Sequence, residues 1–313
     1  MKAPKNTVFL IIFAAIILQF GFGFHLHATE EELITLETDI AVIQYPPRLE
    51  NVAQQIVRVY PAVRYELEQT LQLGVDFKPT ILLMNDRRRF RNLVGSEFVV
   101  AIAVPQHDLM VIDYTRMIDN PFMLRTTLKH ELSHLLLNHH IDNRLLPRWF
   151  DEGVAQWITD GVSQLVNDPG WSVLERAVMR GNIMRFDELE TFPAARAETM
   201  LAYQQSKSFI EYIAETYGTN TLVDIIHQMK HDASVDRAFA MVLPHSLRQV
   251  EQNWGAHIQA RVSWITYISR NIFQFIFLIA ALLVIVAFIK KVIQKRRYHD
   301  DEDDSIQLPS DNS

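Results

Sequence analysis

The chain has 313 residues, 49% of them hydrophobic and 21% charged, with 10 Gly, 12 Pro and no Cys. That balance excludes a disordered chain, a collagen-like repeat and a disulfide scaffold, and the length suits one or two ordinary domains. The net charge of −7, with no long basic face, argues against nucleic acid as a partner.

A mean hydropathy of +0.01 is high for a soluble protein, and two apolar runs at opposite ends account for it. Val8 to Phe24 follows Lys2 and Lys5 and precedes a polar stretch, so residues 1–28 read as a signal peptide. A cut after Ala28 would leave Leu26 where a small residue is preferred, which keeps an uncleaved signal anchor open as the alternative.

Between these ends no internal repeat stands out, and the chain divides into a mixed part, 29–115, and a helical part, 116–270. Leu33 to Ile43 reads as a strand or one arm of a hairpin, ended by Pro46 and Pro47. Arg48 to Leu73 reads as a helix kinked at Pro61 and stopped by Gly74. Short β-type runs follow at Thr80–Met84, Phe98–Val104 and Leu109–Asp113. The arginines at 87, 88, 89 and 91, behind a possible cap at Asp86, read as a solvated helix surface.

The helical part opens at Asn120 and Pro121, an N-cap and first-turn proline for a helix running to about His140. Pro147 opens a second helix ending near Gly161, Asp168 with Pro169 a third stopped by Gly181, and a fourth runs from about Glu198 to Gly218. Thr219, Ser234 and Ser246 are plausible caps for three more. The second apolar run, 271–289, is long enough to span a bilayer and is followed at once by Lys290, Lys291, Lys295, Arg296 and Arg297. The positive-inside rule puts both basic flanks in the cytoplasm, so residues 25–270 face outward and 290–313 form a cytoplasmic basic, then acidic, tail. The expected fold class is α+β, a small mixed or antiparallel sheet followed by a helical half, with a C-terminal transmembrane helix.

Chemistry concentrates at residues 130–134, His-Glu-Leu-Ser-His. Positions i and i+4 of a helix share a face, so His130 and His134 can aim ring nitrogens at one metal ion, with Glu131 beside them to handle a bound water. Neutral imidazoles leave Zn²⁺ charge enough to acidify that water, and a carboxylate takes its proton as it attacks a polarised carbonyl. The apolar neighbours Leu128, Leu132, Leu135 and Leu136 make unpartnered His and Glu costly there, which weighs against coincidence. One Zn²⁺ needs a further protein ligand. His140 has the metzincin spacing, but Leu137 stands where that pattern needs a Gly to turn the chain. Glu152, in the second turn of a helix beginning at Pro147, is the other candidate. His139 and His140 otherwise read as a solvated helix end, and Trp149 and Trp157 as packing anchors.

The HExxH pattern followed by Pro147-Arg148-Trp149-Phe150-Asp151-Glu152-Gly153-Val154-Ala155 resembles the gluzincin zinc peptidases, and in particular peptidase MA-like families of membrane-attached or secreted bacterial proteins. The resemblance covers about residues 30–230. It implies a zincin-like fold, one Zn²⁺ held by His130, His134 and Glu152, Glu131 as general base and a peptide or protein substrate. Many members are also similar at Ala202–Phe209, which implies that Tyr203 steadies the oxyanion. The chain departs from some members at Gln156, where a carboxylate orients a ligand His, which puts that supporting role in doubt. A catalytically silent zincin fold used as a cell-surface binding module is the rival from another class, and an aminopeptidase is a third.

Overall fold

The computed structural model describes residues 32–95, 99–118, 122–159, 173–270 and 272–303. The segment read as a signal peptide, the cap expected at Asn120–Pro121, Gly161 and the helix start expected at Asp168–Pro169 lie outside those residues. The chain divides by packing into two units, one ending at Gly255 and the other beginning at Ala256.

The first unit opens with β1 (Ile34–Glu37) and β2 (Val42–Tyr45), paired antiparallel. The apolar run through Ile43 is thus two strands. Thr38 breaks it: its hydroxyl accepts the backbone N–H of Ala41 at 3.0 Å and donates to the Ala41 carbonyl at 2.9 Å, closing a side-chain turn. Helix α1 (Glu50–Leu71) continues unbroken past Pro61 and ends at Gln72, which takes the left-handed conformation at φ 52°, two residues before Gly74.

Strand β3 (Thr80–Met84) pairs parallel with β2, and β5 (Leu109–Asp113) parallel with β3, while β4 (Ala101–Val104) lies antiparallel on the outside of β5. The order is β1-β2-β3-β5-β4, a mixed sheet. Every residue of β5 is buried, as its apolar run requires of an inner strand covered on both faces. Strand β4 holds the edge, and no strand among the described residues pairs with its outer side.

Helix α2 (Arg87–Val94) carries the arginine run, capped by Asp86, whose carboxylate accepts from the backbone N–H groups of Arg88 and Arg89. The expected solvated surface holds only for Arg88 and Arg91. Arg87 turns inward, donating at 2.9 Å to both the Val99 carbonyl and the fully buried Asp113 carboxylate, because a buried charge at the end of β5 needs a partner.

The helical half follows: α3 (Phe122–His140), α4 (Arg148–Trp157), α5 (Val173–Arg180), α6 (Arg196–Tyr217), α7 (Thr219–Lys230), α8 (Val235–Val242) and the start of α9 (Leu247–Arg270). Ser234 and Ser246 cap α8 and α9 as expected, whereas Thr219 is the first residue of a helix whose cap position is Gly218. Helix α3 packs against α1, the sheet and α4, and α4 packs most extensively on α6. An aromatic cluster holds α4 in place: Trp149, 1% exposed, lies 4.7 Å from the Phe186 ring and 5.4 Å from that of Phe209, and Trp254 meets both. Burying an indole of this size is worth roughly 4–6 kcal/mol as an upper bound.

In the second unit, helix α10 (Ile272–Asp303) contains a 20-residue stretch, Ile272–Lys291, of mean hydropathy 3.1 with none of it buried. That stretch is long and apolar enough to cross a membrane. The helix continues through the basic block to Asp303, beyond the point where a solvated tail was expected to begin.

Candidate metal centre

Two helices build the site. Helix α3 is buried on nearly all sides around the motif, with Leu128, Leu132, Leu135 and Leu136 all at most 1% exposed. His130 and His134, one turn apart, point the same way. Their Nε2 atoms stand 3.2 Å from each other. From α4, Glu152 brings its Oε2 to 3.6 Å from His134 Nε2 and 3.9 Å from His130 Nε2.

Glu152 reaches that point because α4 lies unusually close to α6. A Cβ on Gly153 would sit 2.8 Å from the Ser206 carbonyl oxygen and 2.7 Å from Ile210 Cγ1. Only Gly permits this approach, and Trp149 on the same helix fixes it from the core side.

The three donors lie within 4.8 Å of one another and form a group able to hold a metal ion. Two nitrogens each about 2.0–2.1 Å from a tetrahedral ion are about 3.3 Å apart, so the histidine pair fits zinc without rearrangement. The carboxylate needs to close by only a few tenths of an ångström. The donor set of two imidazoles and one carboxylate is also the chemistry of an open, three-ligand site.

The electrostatics follow from burial. Burial and the charge of its neighbour hold His130 well below the ordinary imidazole range. Burial acts to lower His134 as well, but the Asp151 and Glu152 carboxylates outweigh it and push His134 up to about 10. Burial raises Glu152 against the opposing pull of His134 and Arg148. Glu131 is 2% exposed and lies on the wall of the same cleft.

Asp151, which sequence reasoning passed over, stands beside the candidate ligands. Its Oδ1 accepts the His134 Nδ1–H at 2.9 Å, and its Oδ2 accepts from Asn138 Nδ2 at 3.3 Å, which leaves His134 Nε2 free for a metal. The only sequence signal was an acidic residue beside the candidate ligand. Gln156, where a supporting carboxylate was in question, is buried in the cleft wall, and His130 Nδ1 is buried with no partner of good hydrogen-bond geometry.

Tyr203, on α6, is brought to the centre: its hydroxyl donates to Glu152 Oε1 at 3.2 Å. His140 is not. Its Nε2 bonds the Gly74 carbonyl oxygen at 2.8 Å, and His139 pairs with Asp76, also at 2.8 Å, so the two tie the end of α3 to the loop after α1. Trp149 is the packing anchor expected, and Trp157 is half-buried.

A cleft of about 920 Å³ opens over the three donors. Its lining includes the apolar residues Val99, Ala101, Ile102 and Ala103 and, from the helical half, Arg148, Phe192 and Tyr203.

Residues 93–260, more than half of the chain, match the sequence model of the peptidase MA superfamily. The chain belongs to that superfamily. The match takes in β4, β5, both site helices and α6, and its gluzincin-like feature is the His130–His134–Glu152 group. This peptidase MA member is also similar to a Bacillus subtilis protein named "Uncharacterized protein YhcO", at 25% identity over 142 residues. Those residues are 42% of this chain and 41% of that one, so the chain spans about two fifths of the length of the curated relative it matches.

Proposed function

We propose that the chain is a membrane-anchored, zinc-dependent peptidase that hydrolyses peptide bonds of peptide or protein substrates. The observation that carries this reading is the convergence of His130 Nε2, His134 Nε2 and Glu152 Oε2 at the floor of a cleft walled by Glu131. His130, His134 and Glu152 would hold a zinc ion there, which would supply Lewis acidity toward a scissile carbonyl and acidify a bound water. Glu131 accepts the proton of the attacking water and returns it to the leaving amine. The outer edge of β4, with which no strand among the described residues pairs, offers backbone groups to an extended peptide, and the apolar residues along it would take alternate side chains. Tyr203 stands against Glu152 and belongs to the same site.

For placement, α10 anchors the chain in a bilayer, with the basic block from Lys290 on the cytoplasmic side and the cleft on the opposite side. The experiment is metal analysis of the purified full chain in detergent, coupled to digestion of a peptide library with and without a chelator. The expected result is about one zinc per chain and chelator-sensitive cleavage. A chain that holds zinc but cleaves nothing favours the silent binding module, and a chain without metal removes the reading altogether.

A further inference from the structure

Arg148 and Tyr203 approach Glu152 from the side away from the histidines. Tyr203 donates to Oε1 at 3.2 Å, and Arg148 Nη2 lies 3.7 Å from the same oxygen. Arg148 and Glu152 are four residues apart on α4, so they share a helix face. The guanidinium also interacts with the Tyr203 hydroxyl. Phe192 orders both: the Arg148 Cζ stands 4.9 Å from its ring centroid, and the Tyr203 ring meets it edge-on at 5.0 Å.

We infer that Arg148 and Tyr203 form a clamp on Oε1 of Glu152, which leaves Oε2 as the oxygen offered to the metal, and that both are positioning residues. A carboxylate on a helix can rotate about its terminal bond and present either oxygen. With the Tyr203 hydroxyl bonded to Oε1 and the Arg148 guanidinium charge beside it, one face is selected before any ion arrives. Arg148 sets a positive charge 3.7 Å from that oxygen. This assigns Tyr203 a task other than the oxyanion contact implied by resemblance. It gives Arg148 a role that no motif assigned.

The inference rests on the proposed zinc site, and the test separates the two. Full-length wild type, Arg148→Gln, Arg148→Lys and Tyr203→Phe, each stripped of metal in detergent, are titrated with zinc against a chromophoric chelator. Arg148→Gln and Tyr203→Phe should each weaken zinc affinity by about 10–100-fold, the range for lost supporting contacts to metal ligands. Arg148→Lys should recover part of that loss, because the charge returns without the planar fork. The double variant should lose less than the product of the single losses, since both groups act on one oxygen. Affinities of Arg148→Gln and Tyr203→Phe within twofold of wild type would overturn the clamp. So would a Tyr203→Phe enzyme that keeps its zinc affinity and KM while kcat falls, which is the signature of an oxyanion donor. Wild type that binds no zinc overturns the clamp and the site together.

Discussion

The two helices that make the centre are built on opposite principles. Helix α3 carries both histidines, so their mutual geometry is set by the helical repeat and is merely supported by the leucines around it. Helix α4 carries a single donor, and nothing local to its ten residues determines where Glu152 points. Its position comes from Gly153 against the Ser206 carbonyl and from Trp149 in the aromatic cluster. Half of the site is therefore local and robust, and the other half depends on tertiary packing.

That contrast can be broken at several points. The largest effect belongs to α3: Glu131→Gln should retain zinc and fold while losing nearly all hydrolysis, on the order of a thousandfold or more, because an amide cannot take the water's proton. Steady-state kinetics beside a metal assay checks it, and an active variant would remove Glu131 as the base. Next comes the contact linking the two helices. Asp151→Asn keeps the size but gives up the charge that orients and polarises His134, and zinc affinity should drop by about 10–100-fold in chelator competition.

The same pair sets a pH dependence. Because His134 is raised to about 10 in the metal-free protein, it is protonated at neutral pH and zinc must displace that proton. Affinity should therefore strengthen by about tenfold per pH unit between roughly pH 7 and 9. Calorimetry in buffers of different ionisation enthalpy should record about one proton released per zinc.

The smallest effect separates packing from chemistry. Gly153→Ala should cost about 1–3 kcal/mol in thermal or denaturant unfolding by overpacking the α4–α6 contact. Gly255→Ala, where an added Cβ meets nothing within 4 Å, should be neutral or stabilising by up to about 1 kcal/mol. Equal costs at both glycines would deny Gly153 its special place.

The same division explains what the sequence could disclose. His130, Glu131 and His134 were legible because a period of four on a helix is a local property. So was the apolar helix from Ile272, whose composition alone suffices. Glu152 was legible as one candidate beside His140, and resemblance implied the choice between them, since eighteen residues and a turn separate Glu152 from His134. Asp151 and Arg148 stayed hidden, because an acidic or basic residue on a short helix says nothing about what lies across the cleft. The inward turn of Arg87 was invisible for the same reason: its partner Asp113 is 26 positions away, at the end of another strand. Hydrophobicity also ran on through a turn at Thr38, where a side-chain hydrogen bond overrides pattern.

The most direct test of a centre shared between α3 and α4 is the zinc affinity of Glu152→Ala set beside that of His140→Ala. The account predicts a loss of orders of magnitude for Glu152→Ala and wild-type binding for His140→Ala, whose ring is engaged by the Gly74 carbonyl. Near-wild-type zinc binding by Glu152→Ala, or its loss in His140→Ala, would contradict it.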